Sequence, residues 1–222
     1  DLKLSPDEIF QEIEKHQHDI DNVLNLMRDN SKILKTNSKE DVSQKWPIVE
    51  LDEVLSYEQP TKYIVKSVDY NDNHKTPVLT AGKTFFLGYT NEKEGIFQEE
   101  QLPVIIFDDF TTAIKYVDFP FKVKSSAMKI LHTNKSKANI KYIFLLMQNI
   151  IFPVRKHKRH WISEYSKIKI GLPPLIEQER IVNELENSFA LLEILNELLG
   201  KQIKNVTLLR SSFLNQSFKE QK

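Results

Sequence analysis

The hydrophobic pattern divides the chain into three stretches with different periods. Near the amino end Ile13, Ile20, Met27 and Leu34 recur at spacing seven, with Ile9 and Val23 between them. That spacing places an apolar stripe along one face of a helix. Its start is marked by Ser5-Pro6-Asp7-Glu8: a hydroxyl at the cap, proline at the first helical position, and two acids where the helix dipole favours negative charge. The polar residues 36–45 read as a linker. At the other end Leu185, Leu192, Leu199, Val206 and Phe213 keep the same spacing. Ile181, Leu195 and Leu209 supply part of a companion row, interrupted by Ser188 and Gln202. A heptad held this long predicts a coiled-coil helix over residues 176–217, roughly 60 Å long, with Gly200 as a point of bending.

Between the helices the period changes. All five glycines fall at or after Gly82, and seven of the nine prolines fall between Pro60 and Pro174. Short β-rich runs at residues 63–68, 77–80, 84–89, 104–107, 113–118 and 128–132 are separated by turn chemistry such as Asn71-Asp72-Asn73 and Glu94-Gly95. Residues 140–151 read as one helix, and residues 167–171 as a last strand before Pro173-Pro174. The expected fold class is α+β: one compact mixed α/β domain over residues 46–174, an N-terminal helix and linker over 1–45, and a long coiled-coil helix over 175–222.

Composition narrows the function classes. The absence of cysteine removes disulfide scaffolds, thiolate zinc sites and cysteine nucleophiles together. The longest apolar candidate, residues 140–152, is broken by Lys141, Gln148 and Asn149, short of the ~18–20 residues a membrane span needs. No secretory leader is visible, so the cytoplasm is the expected compartment. The chain begins at Asp1 rather than Met, which suggests a cut end of a longer polypeptide or a chosen boundary.

Charge changes the picture further. The 31 basic and 31 acidic side chains cancel overall, but not locally. Residues 1–58 carry net −7, residues 59–150 net +3, residues 151–170 net +5, and residues 171–222 net −1. Positive charge is therefore confined to the β-rich domain, which raises the question of a polyanionic partner.

Catalytic and metal chemistry find little support. His16 and His18 sit two apart on a helix and point to different faces. Asp108-Asp109 follows an apolar strand and reads first as a strand-end turn, with a magnesium or acid/base site as the sharper alternative. There is no glycine-rich phosphate loop, nucleophile elbow or dinucleotide fingerprint, and no Asn-Pro-Pro-aromatic motif of amino-methyltransferases. The chain is expected to be non-catalytic, with no metal site and no cofactor.

The leading candidate site is the basic run Arg155, Lys156, His157, Lys158, Arg159, His160 and Trp161. Such a run supplies phosphate donors, and arginine adds bidentate contacts to guanine edges. A solvated surface would explain it equally well in isolation. Its place between a buried helix and a strand, in the domain holding the other lysines (Lys62, Lys66, Lys75, Lys83, Lys115, Lys122 and Lys124), favours a contact loop. Lys83, Thr84, Thr111 and Thr112 are second-tier loop donors, with hydroxyl turn capping as the plain alternative. Trp161 and Phe110 could stack on bases, although aromatics in a β-rich domain are more often core.

One segment carries a resemblance. Leu172-Pro173-Pro174-Leu175, followed by Glu177-Gln178 and Ile181-Val182, resembles the junction in specificity subunits of type I restriction–modification systems, where a target-recognition domain hands over to a long helix. Trp46-Pro47 through Val54, Pro77 through Gly82, Pro103 through Asp109 and Leu208 through Phe218 are similar to other parts of that family, in the right order. The resemblance implies that the domain binds one half of a bipartite duplex DNA site. It also implies that the helix pairs with itself or a copy and docks a DNA adenine methyltransferase subunit, through which the restriction subunit is reached indirectly. Only one recognition domain is present where the family has two. The chain is thus expected to be a half-subunit, a fragment, or the specificity end of a fused methyltransferase/endonuclease; the competing class is a coiled-coil protein-interaction module without DNA binding.

Overall fold

The computed structural model describes residues 5–38, 46–80, 84–154 and 158–219. The chain divides into two compact units, residues 43–182 and residues 1–42 with 183–222. The first holds β1 (Ile48–Glu50), α2 (Leu51–Val54), β2 (Leu55–Glu58), β3 (Thr76–Leu79), β4 (Phe86–Thr90), β5 (Val104–Asp108), β6 (Ile114–Val117), β7 (Lys122–Val123), β8 (Met128–Thr133), α3 (Ile140–Gln148) and β9 (Lys169–Gly171). The order and mixture are those of an α+β fold.

Two sheets build this unit. A four-stranded antiparallel sheet runs β2-β8-β5-β6, and a three-stranded sheet runs β4-β3-β7 with β3 and β7 parallel. The central strand β5 is buried at every residue, which explains why it reads as an unbroken apolar run rather than an alternation. Val104 and Ile106 join a core with Leu79, Phe97, Phe121, Val123, Met128 and Ile130. Side chains alternate across a strand, so Phe107 faces the other way, onto Trp161 and Tyr165 with ring centroids 5.1 and 4.8 Å apart. Helix α3 starts at Asn139, whose side chain accepts the N–H groups of Lys141 and Tyr142, and packs against β5 and β6.

Several expectations are refined. Residues 63–68 do not form a strand: Pro60 opens a 3-10 turn (Pro60–Tyr63), and only Ile64 bridges Val123. Strands β1 and β2 lie in a run too short to signal themselves; they exist because β9 and β8 pair with them. Lys122 is not a surface charge. It is buried, its ammonium donating to Glu94 O at 2.5 Å and Gly95 O at 3.1 Å and facing Glu92 at 3.2 Å. Gly95 sits at φ 61°, and a Cβ there would come within 2.5 Å of Lys62 O, so this turn needs glycine.

Entry and exit of this unit are tied together. β1 and β9 are antiparallel, with Val49 opposite Ile170, and Leu172 N donates to Pro47 O at 2.9 Å. The long helix α4 (Leu175–Lys219) begins immediately after Pro174. Gln178, fully buried in its first turns, accepts from Asn139 N at 2.8 Å and donates to Pro173 O at 2.8 Å and Lys137 O at 3.1 Å. The Glu-Gln of the junction motif thus has a physical role: one amide satisfies three backbone groups and fastens the start of α4 to the loop before α3.

The other unit pairs α1 (Pro6–Ser38) with residues 183–219 of α4. Ser5 takes the cap position as expected and forms a capping box with Glu8, Ser5 N and Oγ donating to Glu8 at 2.7 and 2.9 Å and Glu8 N donating back to Ser5 Oγ at 3.3 Å. These bonds hold the Glu8 carboxyl below its usual value. The helices run antiparallel: Gln202 donates to Ile13 O at 3.2 Å, and Phe10 meets Phe213. The two apolar rows of α4 are not equivalent. Leu192, Leu199, Val206 and Phe213 are 41% to 53% exposed, whereas Leu191, Leu195, Leu198, Gln202, Asn205 and Leu209 are the sheltered positions. The interrupted companion row is therefore the one that faces α1, and α4 runs through Gly200 as one helix.

Asn205 is a polar residue inside that seam, its amide donating to Glu12 at 3.3 Å and lying 3.4 Å from His16 Nδ1. Buried polar residues in coiled coils trade stability for register. The Asn205→Leu variant is expected to melt no lower than the native chain but to lose its single register. Spin labels on α1 and α4 would then report a broadened distance distribution; a narrow, unchanged one contradicts this role.

Candidate nucleic-acid interface

The end of β5 carries two adjacent acids that work in opposite directions. Asp108 shapes the turn that follows: its carboxylate accepts Phe110 N at 2.9 Å and Thr111 Oγ1 at 2.6 Å, and its carbonyl accepts Thr112 N at 2.9 Å. Thr112 sits at φ 59°, a left-handed conformation that is costly for a β-branched residue and clusters at functional sites. Thr111 is exposed at this turn, and Phe110 is 38% exposed.

Asp109 is buried and reaches away from the turn. Its Oδ1 accepts the N–H groups of His160 and Trp161 at 3.1 and 2.9 Å, and its carbonyl accepts His160 N at 2.9 Å. Its Oδ2 lies 3.5 Å from the ammonium of Lys129, itself buried in β8 beneath the Tyr57 ring. A carboxylate at the end of one strand therefore captures the exit of the basic run, 51 residues further on. Asp108 closes β5 and Asp109 leads into the turn, both carboxylates engaged by groups of the protein; no cluster of metal-binding groups occurs among the described residues.

This clasp brings the candidate loops together. The Arg159 guanidinium lies over the Phe110 ring, 5.7 Å from its centre. Lys158 is half-exposed and ion-paired with Glu164. Thr80 and Phe85, flanking the β3–β4 hairpin tip, line a shallow depression with Asp108, Ala113 and Lys115, and the Lys115 ammonium lies 5.9 Å from the Phe85 ring. Thr84, next to Phe85 on that hairpin, is exposed. Arg155, Lys156, His157 and Lys83 lie outside the described residues.

Two candidates are corrected. Trp161 and His160 are fully buried. The indole is held between Phe107 at 5.1 Å and Tyr165 at 6.1 Å, and His160 packs on Phe152 at 5.2 Å. Burial pushes the Tyr165 phenol up to about 12, so its hydroxyl keeps its proton. Both residues anchor the loop from beneath instead of presenting rings to a ligand, because the surface they cover is worth more to the core than to solvent. The remaining positive charge is also thinner than the count suggested: Lys122 and Lys129 are internal, and Lys62 pairs with Glu58 at 2.7 Å. Lys129 and Asp109 were the residues missed as a pair. The signal was a lysine inside the apolar run Met128-Lys129-Ile130-Leu131, since a charge in a buried strand needs a partner.

Comparison with known proteins places this geometry. Residues 43–205 match the family model of the type I restriction modification DNA specificity domain. The chain is 48% identical, over 180 residues, to the specificity subunit of the type I restriction enzyme EcoR124I/EcoR124II of Escherichia coli, an alignment covering 77% of this chain and 44% of that protein. The chain thus spans less than half the length of this curated relative. Two solved structures share the fold. The HsdS subunit of Thermoanaerobacter tengcongensis matches with a TM-score of 0.50 at 13% identity, over 92% of this chain and 54% of that one. A chain from a study of complex assembly and conformational transition in a type I R-M system matches with a TM-score of 0.51 at 14% identity, over 95% and 60%. A family match across most of the chain, joined to the buried junction at Gln178 and the long helix it launches, shows that this chain belongs to the type I restriction–modification DNA specificity family.

Proposed function

We propose that this chain is the DNA-reading part of a type I restriction–modification specificity protein. Residues 46–174 act as the target-recognition domain and bind one half of a bipartite duplex site; residues 175–222 form the long helix that docks a DNA adenine methyltransferase. Residues 1–45 supply the N-terminal helix and linker. The observation that carries this reading is the meeting of the 110–112 turn with Arg159, on a base of buried hydrogen bonds through Asp109. Exposed cation and hydroxyl donors on rigid loops suit base edges and phosphates. Arg155, Lys156, Lys158 and Arg159 are the chief contacts in this reading, with His157, Lys83, Thr84, Thr111 and Thr112 at the margin.

The chain itself carries no catalytic step in this reading; methylation and cleavage belong to its partners or to further domains of its own polypeptide. It acts in the cytoplasm, where duplex DNA is. The exposed row Leu192, Leu199, Ile203 and Val206 supports packing of α4 against a second chain, a methyltransferase or another copy. No helix among the described residues is long and apolar enough to cross a membrane.

The test is selection from a pool of degenerate duplexes by the intact chain, with and without a type I methyltransferase subunit. Recovery of one short, defined half-site is the expected outcome. A pool that stays random in both arms, with the protein folded, rejects DNA reading and favours a protein-interaction module.

A further inference from the structure

We infer that Arg159, laid against Phe110 and fixed by Asp109, is a base-reading residue and that the base it reads is a guanine; this rests on the duplex-binding reading above. Three observations separate Arg159 from the other cations of the domain. First, it is exposed and makes no ion pair among the described residues, whereas its neighbour Lys158 is paired with Glu164 and Lys129 is sunk beside Asp109. Its charge is available to a ligand.

Second, its backbone is held on both sides of the peptide that follows. His160 N donates to Asp109 O and Oδ1, Trp161 N donates to Asp109 Oδ1, and the Arg159 carbonyl accepts Ser163 Oγ at 3.3 Å. Third, the guanidinium has its own platform. Phe110 lies 5.7 Å beneath it and is positioned by the Asp108 carboxylate through Phe110 N. Stacking orients a planar fork of donors and reduces the freedom it loses on binding.

Such preorganisation matters little to a phosphate, which a mobile lysine can neutralise from many directions. It matters to a base edge. Guanine offers O6 and N7 side by side, the acceptor pair that a planar guanidinium meets with two parallel N–H bonds. Phe110 and Asp109 are positioning residues here: neither need touch the base, and their effect passes through the orientation of Arg159.

The experiment is the degenerate-duplex selection repeated with Arg159→Lys and Phe110→Leu, both at side chains with substantial exposure. Arg159→Lys keeps the charge and loses the fork. It is expected to select the native half-site with one guanine position relaxed by roughly 10- to 100-fold in preference, the other positions and the salt dependence unchanged. Phe110→Leu is expected to relax the same position by a smaller factor. If Arg159→Lys selects the native motif with every preference intact, or weakens binding evenly across all positions, Arg159 is a phosphate contact and the inference is overturned. Relaxation at a base other than guanine overturns the assignment of the base. If the native chain selects no motif, this inference falls together with the reading beneath it, an outcome visible in the native arm alone.

Discussion

The Asp109→Ala variant is expected to lose about 3–5 kcal/mol of stability, the cost of breaking a buried ion pair from one side. The carboxylate is buried, and removing it leaves the Lys129 ammonium enclosed with no counter-charge at 3.5 Å. The N–H of Trp161 loses its acceptor at the same time, while that of His160 keeps the Asp109 carbonyl. Against a total domain stability of roughly 5–15 kcal/mol, the thermal midpoint should fall by on the order of 10 °C. Asp109→Asn separates the parts, since its amide oxygen still serves the two N–H groups and only the pairing with Lys129 is lost. Adding Lys129→Met to Asp109→Asn should recover most of the deficit, because an apolar side chain needs no partner in that place. Denaturation of the three variants checks this. A loss below about 1 kcal/mol in Asp109→Ala, or no recovery in the double variant, removes Asp109 from its central place.

The same residue illustrates what was legible before the structure. The strand at residues 104–107, the turn after it and the long helix from Leu175 could be read directly, because a continuous apolar run, paired acids and a heptad each have one dominant physical reading. The direction in which each acid turns could not. Asp108 and Asp109 are neighbours with the same chemistry, and only the arrival of residues 160–161 at the strand end decides that one shapes a turn and the other closes a clasp. Trp161 is buried, the commoner reading of an aromatic in a β-rich domain, but the basic run itself gives no sign of where it ends and the core begins.

Which apolar row forms the helical seam was not legible, through a different cause. Leu185, Leu192, Leu199, Val206 and Phe213 make the cleaner heptad, yet the row interrupted by Ser188 and Gln202 is the one facing α1. A helix with two apolar rows can serve two partners, and spacing alone does not say which row meets which. Gln202, one of the interruptions, and Asn205 bond α1 directly. Strands β1 and β2 escaped notice because runs of three and four residues carry no period; their existence depends on β9 and β8, more than a hundred and some seventy residues away respectively.

The central claim is that the face where the 110–112 turn meets Arg159 holds duplex DNA, and it is most directly tested by the salt dependence of duplex affinity. Fluorescence anisotropy would compare the native chain with a variant in which Arg155, Lys156, Lys158 and Arg159 are all alanine, each with methyltransferase subunit present. Every phosphate neutralised contributes about 0.9 to the slope of log affinity against log salt. Lys158 is already partnered by Glu164 and Arg159 is assigned to a base, so the variant should lose about 2 from the native slope, through Arg155 and Lys156, and roughly 100-fold or more in affinity at low salt, with an unchanged melting temperature. An affinity and a slope equal to those of the native chain would contradict the account.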